Sequence, residues 1–119
     1  MLDDTKNLDD EFNKQIERSK KDKREDRLER LKKAAAIPDK VYSRTTHFKR
    51  NPDVVVEVLL RADGICERCN KPAPFMRISD NTPYLEVHHL KPLSDGGKDI
   101  TENAIALCPN CHRELHFGV

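Results

Sequence analysis

The sequence has no tryptophan and few other aromatic side chains, and this scarcity limits how large a hydrophobic core can be. Aromatic residues make up 5% of the 119 residues, and charged residues are as frequent as hydrophobic ones, at 36% each. Such a chain buries little apolar surface, and small cores are usually held together by disulfides or metal ions. The four cysteines are therefore the first candidates for that role.

Long hydrophobic runs and a secretion signal are also missing. No segment approaches the roughly 20 apolar residues that cross a bilayer, and the N-terminal stretch MLDDTKNLDDEF is acidic, unlike a signal peptide. These features predict a cytoplasmic protein without a membrane association. In the reducing cytosol, clustered cysteines bind metal more often than they form disulfides.

Charge is unevenly distributed along the chain, although the formal net charge is only +1. Residues 1–13 carry a net charge of −4, residues 14–50 carry +8 and residues 51–119 carry −3. Affinity for nucleic acid is therefore expected mainly in the middle segment. A solvated, charged helix explains the same pattern equally well.

Helix formers and helix breakers divide the chain into three predicted segments. Residues 1–37 form a charged arm in which one long, solvated helix is expected from about Asp10 to Ala36. Residues 38–50 are a basic linker, and residues 51–119 are a small domain. Within that domain the patterns predict a helix from Pro52 capped at Gly64, strands over 84–90 and 104–107, and a last helix over 110–117.

The cysteines form two C-x2-C pairs, Cys66 with Cys69 and Cys108 with Cys111, separated by 38 residues. Two such pairs complete the tetrahedral shell that zinc prefers. A shell closed by four thiolates leaves no position for a substrate, so the predicted zinc is structural. Two disulfides or free thiols are the alternative, and a zinc site of this kind does not identify a function.

Four of the five histidines fall within 29 residues. His112 and His116 are four residues apart on the predicted last helix, so their rings share one face, as shared metal ligands do. His88 and His89 are adjacent at the end of a strand and should point to different faces. One can then bind a metal while the other accepts a proton. Otherwise these histidines are further ligands of the cysteine-bound zinc or ordinary surface residues.

These residues together resemble a known motif. The run LEVHHLKPLSDGG at 85–97 resembles the first half of the HNH nuclease motif, and Asn103 followed by AIALCPNCHRELH resembles the second half. The likeness is to the cysteine-containing branch that includes the McrA-like restriction nucleases, which cut DNA containing modified cytosine. It implies an α+β fold: a small, zinc-stabilised ββα-metal (His-Me finger) domain, here preceded by the long charged helix.

The resemblance also implies a role for each site residue. His89 matches the general base that activates water, and His88 and His112 match ligands of a catalytic metal. His116 resembles a later histidine that ligates in colicin-type nucleases but is missing from many relatives. Asn103 matches an asparagine that either braces the loop of the base or touches the metal, and bracing is favoured here. The implied cofactors are structural Zn²⁺ and one catalytic divalent ion: Mg²⁺, Mn²⁺, Ni²⁺, Co²⁺ or Zn²⁺.

The predicted function is therefore a metal-dependent endonuclease that hydrolyses phosphodiester bonds of DNA, with duplex as the expected form, in restriction or in defence against phages and mobile elements. A zinc-stabilised DNA-binding module without catalysis, or the nuclease end of a toxin or multi-domain system, remain alternatives. A homodimer formed through the N-terminal helix would let two sites cut both strands. Candidate DNA contacts, each also explicable as a solvated base, are Arg113, Lys91, Lys98, Arg44, Lys49 and Arg50.

Overall fold

Four α-helices and one two-stranded sheet, with two single-turn 3₁₀ helices (Leu93–Asp95 and Thr101–Asn103) between the strands, account for the regular structure between residues 4 and 119, the part of the chain that the computed structural model describes. The first three residues of the predicted arm lie outside it. The chain divides into a unit ending at His47 and a unit running from Phe48 to Val119. In chain order the elements are α1 (Asp4–Lys21), α2 (Arg24–Lys33), α3 (Pro52–Ala62), β1 (Glu86–His89), β2 (Ala104–Leu107) and α4 (Pro109–Phe117).

The N-terminal unit contains the long charged helix that the sequence predicts, as the 18-residue α1. The expectation of one helix reaching Ala36 is wrong, because the helix breaks after Lys21 and α2 ends at Lys33. The Arg27 guanidinium donates to the carbonyl oxygens of Ser19 and Asp22, each at 2.7 Å. A helix end leaves such carbonyls unpaired, so Arg27 stabilises the break. All of α2 is without buried residues.

Helix α3 begins as its sequence predicts. The Asn51 side chain accepts a hydrogen bond from the Asp53 N–H at 3.0 Å, and Pro52 occupies the first turn. The predicted cap at Gly64 is displaced by one residue. Asp63 closes the helix in the left-handed conformation, at φ 51°, and its N–H donates to the Leu59 carbonyl oxygen. An aspartate tolerates this conformation better than most side chains.

The core of the second unit lies between α3 and the sheet. Strands β1 and β2 are antiparallel, with His88 opposite Ile105 and His89 opposite Ala104. Helix α3 presents a buried stripe spaced by four residues to this sheet. The core is as small as the composition predicts and includes two cysteines; its buried members are Val54, Val58, Ala62, Cys66, Leu85, Ala104, Ala106, Leu107 and Cys111.

Glu67, inside the first cysteine pair, attaches that segment to the sheet. Its N–H donates to the Ala106 carbonyl oxygen at 2.9 Å, and its carboxylate accepts the Ala106 N–H at 2.8 Å. Arg61 of α3 donates to the same carboxylate at 2.8 Å. The Arg61 hydrogen bond holds the pKa of Glu67 below its usual range. The first cysteine pair is thus fixed to both layers of the core.

Among residues 4–119, no helix combines the length and the apolar character needed to cross a bilayer.

Candidate metal centres

The four cysteines converge on one point. All four are free thiols, and their sulfur atoms lie within 4.8 Å of one another. The sulfurs of Cys69 and Cys108 are 4.0 Å apart, close to the edge of about 3.8 Å in a tetrahedron with Zn–S bonds of about 2.3 Å. The donor set and its spacing therefore fit a structural metal, and the disulfide alternative does not describe this arrangement.

Tight local turns aim these sulfurs inward. In the first pair, the Cys66 N–H donates to the Lys71 carbonyl oxygen, and the Asn70 N–H donates back to the Cys66 carbonyl oxygen, both at 2.9 Å. In the second pair, the Cys108 sulfur accepts the Cys111 N–H at 3.4 Å and caps the start of α4. The helix that carries His112 and His116 therefore begins within the cysteine cluster.

The thiols of the cluster differ in acidity. Burial opposes ionisation of the Cys66 thiol, but backbone N–H groups, that of Cys108 foremost, reverse the balance and lower its pKa. Burial raises the pKa of the Cys111 thiol, and the neighbouring sulfurs add to that rise despite a hydrogen bond from Arg68. Thiolates packed this closely repel one another, so a bound cation is what allows all of them to ionise together.

A second cluster consists of three imidazoles. His88 of β1 meets His112 and His116 of α4, with ring centroids 4.8 to 5.1 Å apart. The Nε2 atoms of His112 and His116 are 3.1 Å apart, within the spacing of about 3.0 to 3.4 Å expected for neighbouring ligands with metal–nitrogen bonds near 2.0–2.1 Å. Three nitrogens leave further coordination positions open, so this donor set fits a metal that also binds a substrate or water.

Glu86 orients His112 within this cluster. The His112 Nδ1–H donates to the Glu86 carboxylate at 2.8 Å, which leaves Nε2 to face the other histidines. The Tyr84 hydroxyl donates to the other Glu86 oxygen at 2.6 Å. The Tyr84 hydrogen bond, followed by that of His112, lowers the pKa of Glu86. Burial lowers the pKa of His88, and the neighbouring histidines lower it further, so the neutral form that binds metals is favoured.

His89 lies beside the three-histidine cluster but is not part of it. Its side chain is only 11% exposed, and its Nε2 is 2.8 Å from the Asp99 carboxylate. It shares an open cleft of about 200 Å³ with the cluster; the cleft is lined by Val87, His88, His89, Pro92, Leu93, His112 and His116. The two adjacent histidines thus have different neighbours, although both line the same cleft.

Asn103 closes the loop between the two strands. Its side-chain oxygen accepts the Lys91 N–H at 2.9 Å, and its amide NH₂ donates to the carbonyl oxygens of Lys91 at 3.0 Å and Lys98 at 2.8 Å. Every one of these contacts is to the backbone.

The comparisons with known proteins agree with this geometry. The family model described as HNH endonuclease matches residues 66–118. A 71-residue segment is 56% identical to the Type IV methyl-directed restriction enzyme EcoKMcrA of Escherichia coli (strain K12), covering 60% of this chain and 25% of that protein. These matches support an McrA-like HNH family for residues 66–118.

Two further proteins are similar to parts of this chain. The solved structure of the Type IV phosphorothioation-dependent restriction endonuclease ScoMcrA matches with a TM-score of 0.51 and 36% identity, over 59% of this chain and 13% of that one. Anaredoxin of Nostoc sp. (strain PCC 7120 / SAG 25.82 / UTEX 2576) is 48% identical over 31 residues, which is 26% of this chain and 41% of that protein. The chain thus spans less than half the length of each of these relatives.

The basic residues predicted to contact DNA are distributed unevenly around the HNH domain. Arg50 lies close enough to Asp99 for its charge to lower the pKa of that carboxyl, after the hydrogen bonds from the Asn51 N–H and His89. Arg113 similarly contributes to the lowered pKa of Glu86. Lys91 and Lys98 are exposed on the loop clamped by Asn103. Lys49 is exposed, and Arg44 belongs to the N-terminal unit.

Two residues that orient the site were absent from the predicted site: Asp99, which contacts His89, and Tyr84, which contacts Glu86. Asp99 lies ten residues after His89 in an irregular loop, where no periodicity relates the two positions. Tyr84 was predicted as part of the strand, but β1 begins at Glu86. A search for carboxylates near every histidine of the hairpin would have raised Asp99 as a candidate. The sequence has no signal that would have selected Tyr84.

Proposed function

We propose that the HNH domain hydrolyses phosphodiester bonds in duplex DNA. The observation that carries the proposal is the convergence of His88, His112 and His116 on one point, with His89 on the wall of the same cleft. A module that only binds DNA has no need for a second, open set of metal ligands. The Type IV restriction enzymes that share the domain support the same activity.

The two clusters would hold different ions. Four thiolates in a closed shell suit Zn²⁺ in a structural role. Three imidazoles suit Zn²⁺, Ni²⁺ or Co²⁺ better than Mg²⁺, which prefers oxygen ligands, and Mn²⁺ lies between them. A divalent ion in the histidine cluster supplies Lewis-acid stabilisation of the negative charge that develops on the phosphoryl and leaving oxygens.

His89 is the proposed general base. It accepts a proton from the attacking water, and help of this kind is typically worth about 10²- to 10⁴-fold in rate. Asn103 is the proposed brace, since it binds the Lys91 N–H and carbonyl two residues after His89. His88, His112 and His116 are the proposed ligands of the catalytic ion, and Glu86 sets the direction of His112.

We propose that basic residues of the second unit and of the linker hold the DNA backbone. Arg50, Arg113, Lys91, Lys98 and Lys49 are the candidates in the second unit, and Arg44 is the candidate in the N-terminal unit. Contacts of this type bind phosphates without reading sequence. We therefore assign no recognition of modified bases to residues 51–119.

The biological setting follows from the relatives and the metal chemistry. Restriction of DNA is the proposed role, by similarity to the Type IV restriction enzymes EcoKMcrA and ScoMcrA. A reducing compartment such as the cytoplasm fits a site that needs thiolates. Residues 1–37 are proposed as an arm, residues 38–50 as a linker, and pairing of two chains through the arm as the means of cutting both strands.

The direct test is cleavage of supercoiled plasmid by the purified protein with Mg²⁺, Mn²⁺, Ni²⁺ or Co²⁺ added singly. His89→Ala should lose about 10²- to 10⁴-fold in rate while keeping its fold and its cysteine-bound metal. His47→Ala is the matched control, because His47 is exposed, lies in the N-terminal unit and contacts Thr45; it should cleave as the wild type does.

Two results would overturn the proposal. If His89→Ala, purified alongside the wild type, cleaves at the wild-type rate, His89 is not the base. If the wild type binds DNA but cleaves it with none of these ions, the chain is a zinc-stabilised binding module. A digestion panel of unmodified and methylated plasmids then shows whether cleavage depends on modification.

A further inference from the structure

We propose that Asp99 is a positioning residue that fixes the tautomer of His89, so that the imidazole presents an unprotonated Nδ1 to the attacking water. This inference rests on the proposed role of His89 as base. It assigns the carboxylate a function in the reaction, beyond shaping the loop between the two strands.

The contacts of Asp99 determine which nitrogen of His89 carries the proton. One carboxylate oxygen is 2.8 Å from the His89 Nε2, and the other accepts the Asn51 N–H at 2.6 Å. An ionised carboxylate only accepts hydrogen bonds, so Nε2 must carry the hydrogen. Nδ1 then keeps its lone pair. The pair is well shielded, with the side chains of His89 and Asp99 only 11% and 21% exposed.

The loop is built to bring Asp99 to this position. Asn103 binds the carbonyl oxygen of Lys98, the residue before Asp99, and also binds Lys91, two residues after His89. One side chain therefore fixes the backbone beside both partners. At Gly97 the loop turns back so tightly that a Cβ atom there would lie 1.9 Å from the Lys91 carbonyl oxygen.

The chemical step is a simple proton transfer. An O–H bond of water breaks as its oxygen forms a new bond to phosphorus, and the proton passes to the lone pair of His89 Nδ1. The bond between phosphorus and the leaving oxygen of the phosphodiester breaks, and that oxygen takes a proton from solvent. The resulting imidazolium keeps its Nε2–H donated to Asp99, which stabilises the positive charge, and it later returns a proton to solvent. Asp99 stays ionised throughout, as the orienting aspartate does in serine-protease triads.

Asp99→Asn separates a positioning role from a purely structural one. A backbone N–H can only donate, so the asparagine oxygen must face Asn51, and its NH₂ group is left to face His89. A donor there selects the opposite tautomer, with the proton on Nδ1 and no lone pair for water. We therefore expect kcat for plasmid cleavage to fall by about 10- to 100-fold, at least as far as in Asp99→Ala, while KM changes little.

A structural role predicts the reverse order. The near-isosteric Asn would preserve the loop and most of the activity, whereas Ala would lose both. Asp95→Asn is the matched control, since Asp95 is an exposed aspartate of the same loop, and it should cleave as the wild type does. Long-range ¹H–¹⁵N NMR of the imidazoles should show protonated Nε2 on His89 in the wild type and protonated Nδ1 in Asp99→Asn.

A double-mutant comparison completes the test. If Asp99 acts through His89, adding Asp99→Asn to His89→Ala should cause no further loss of cleavage. Wild-type kcat in Asp99→Asn, an unchanged His89 tautomer, or a further loss in the His89→Ala background would each overturn the inference. Failure of the proposed function is a different result, namely that His89→Ala itself cleaves normally.

Discussion

The two candidate metal clusters both take donors from α4 and its N-cap, yet they differ in how fully they would enclose an ion. The cysteine cluster has four donors, two of them on buried residues, Cys66 at 0% and Cys111 at 7% exposure. The histidine cluster has three donors, of which His116 is exposed, and it opens into a cleft. The four cysteines would fill every position of a tetrahedral metal shell, whereas the three histidines would leave at least one coordination position open.

This difference shows how a small core supports chemistry. The closed cluster replaces the hydrophobic contacts that the composition cannot supply, so the open cluster does not have to hold the fold together. Helix α4 joins the two, because Cys108 and Cys111 fix its first turn and His112 and His116 follow on the next turns. Substitutions in the cysteine cluster should therefore reduce the stability of the domain, whereas substitutions in the histidine cluster should reduce its activity.

The largest effect is expected at the closed cluster. Cys66→Ser should lose its bound zinc and its cooperative thermal unfolding, because structural zinc contributes about 10–16 kcal/mol in zinc-finger peptides. That is comparable to the whole stability of about 5–15 kcal/mol that typical domains have. Circular dichroism melts and atomic emission measure both losses. His88→Ala is the control and should keep its transition; a Cys66→Ser variant that melts at the wild-type Tm would contradict the comparison.

The second-largest effect is expected at the histidine cluster, where a substitution should lower activity without unfolding the domain. His112→Ala should reduce cleavage about a thousandfold, since Lewis-acid stabilisation is worth several kcal/mol and about 1.4 kcal/mol corresponds to tenfold. His116→Ala should lose less, because His116 is exposed at the end of α4. Plasmid cleavage and zinc content check this together. The comparison fails if His112→Ala unfolds as Cys66→Ser does.

A smaller effect is expected at the carboxylate behind the open cluster. Glu86→Gln keeps an acceptor for the His112 Nδ1–H but removes the charge, so the affinity for Co²⁺ or Ni²⁺ should fall about 10- to 100-fold. Calorimetric titration of the zinc-loaded protein measures it. Glu102→Gln, at an exposed glutamate, should bind as the wild type does. Equal metal affinities in Glu86→Gln and Glu102→Gln would show that Glu86 does not contribute to metal binding.

The smallest effect is expected from single basic residues, one near the histidine cluster and one near the cysteine cluster. Arg50→Gln, near Asp99, should weaken DNA binding a few-fold and reduce the slope of log K against log salt by about 0.9, the value for one phosphate contact. Lys71→Gln, beside the cysteine cluster, should leave the slope unchanged. Fluorescence anisotropy of labelled DNA over a salt series measures the slope for each variant. Equal slopes in Arg50→Gln and Lys71→Gln would show that DNA does not bind preferentially near the histidine cluster.

Much of this architecture is encoded locally and was predictable. The C-x2-C pairs, the four-residue step from His112 to His116 and the cap at Asn51 each depend on near neighbours in sequence, and the structure has all three. The short strand β2 was predicted with its observed bounds, because Ala104–Leu107 is an apolar run between polar residues.

The remaining features depend on contacts between distant or irregular segments. The break between α1 and α2 depends on Arg27 reaching back eight residues to Ser19, which helix propensity does not register. Asp99 reaches His89 only because Asn103 and Gly97 fold the loop back on itself. Strand β1 is shorter than predicted since the chain before Glu86 pairs with the preceding loop, at Met76 and Pro83.

The thiol cap of α4 has a consequence for chelation of the metals. Because the Cys108 sulfur caps the first turn of the helix that carries His112 and His116, we expect removal of an ion held by the cysteines to displace those histidines as well. A chelator that strips the closed site would then weaken metal binding at the open one without touching its ligands.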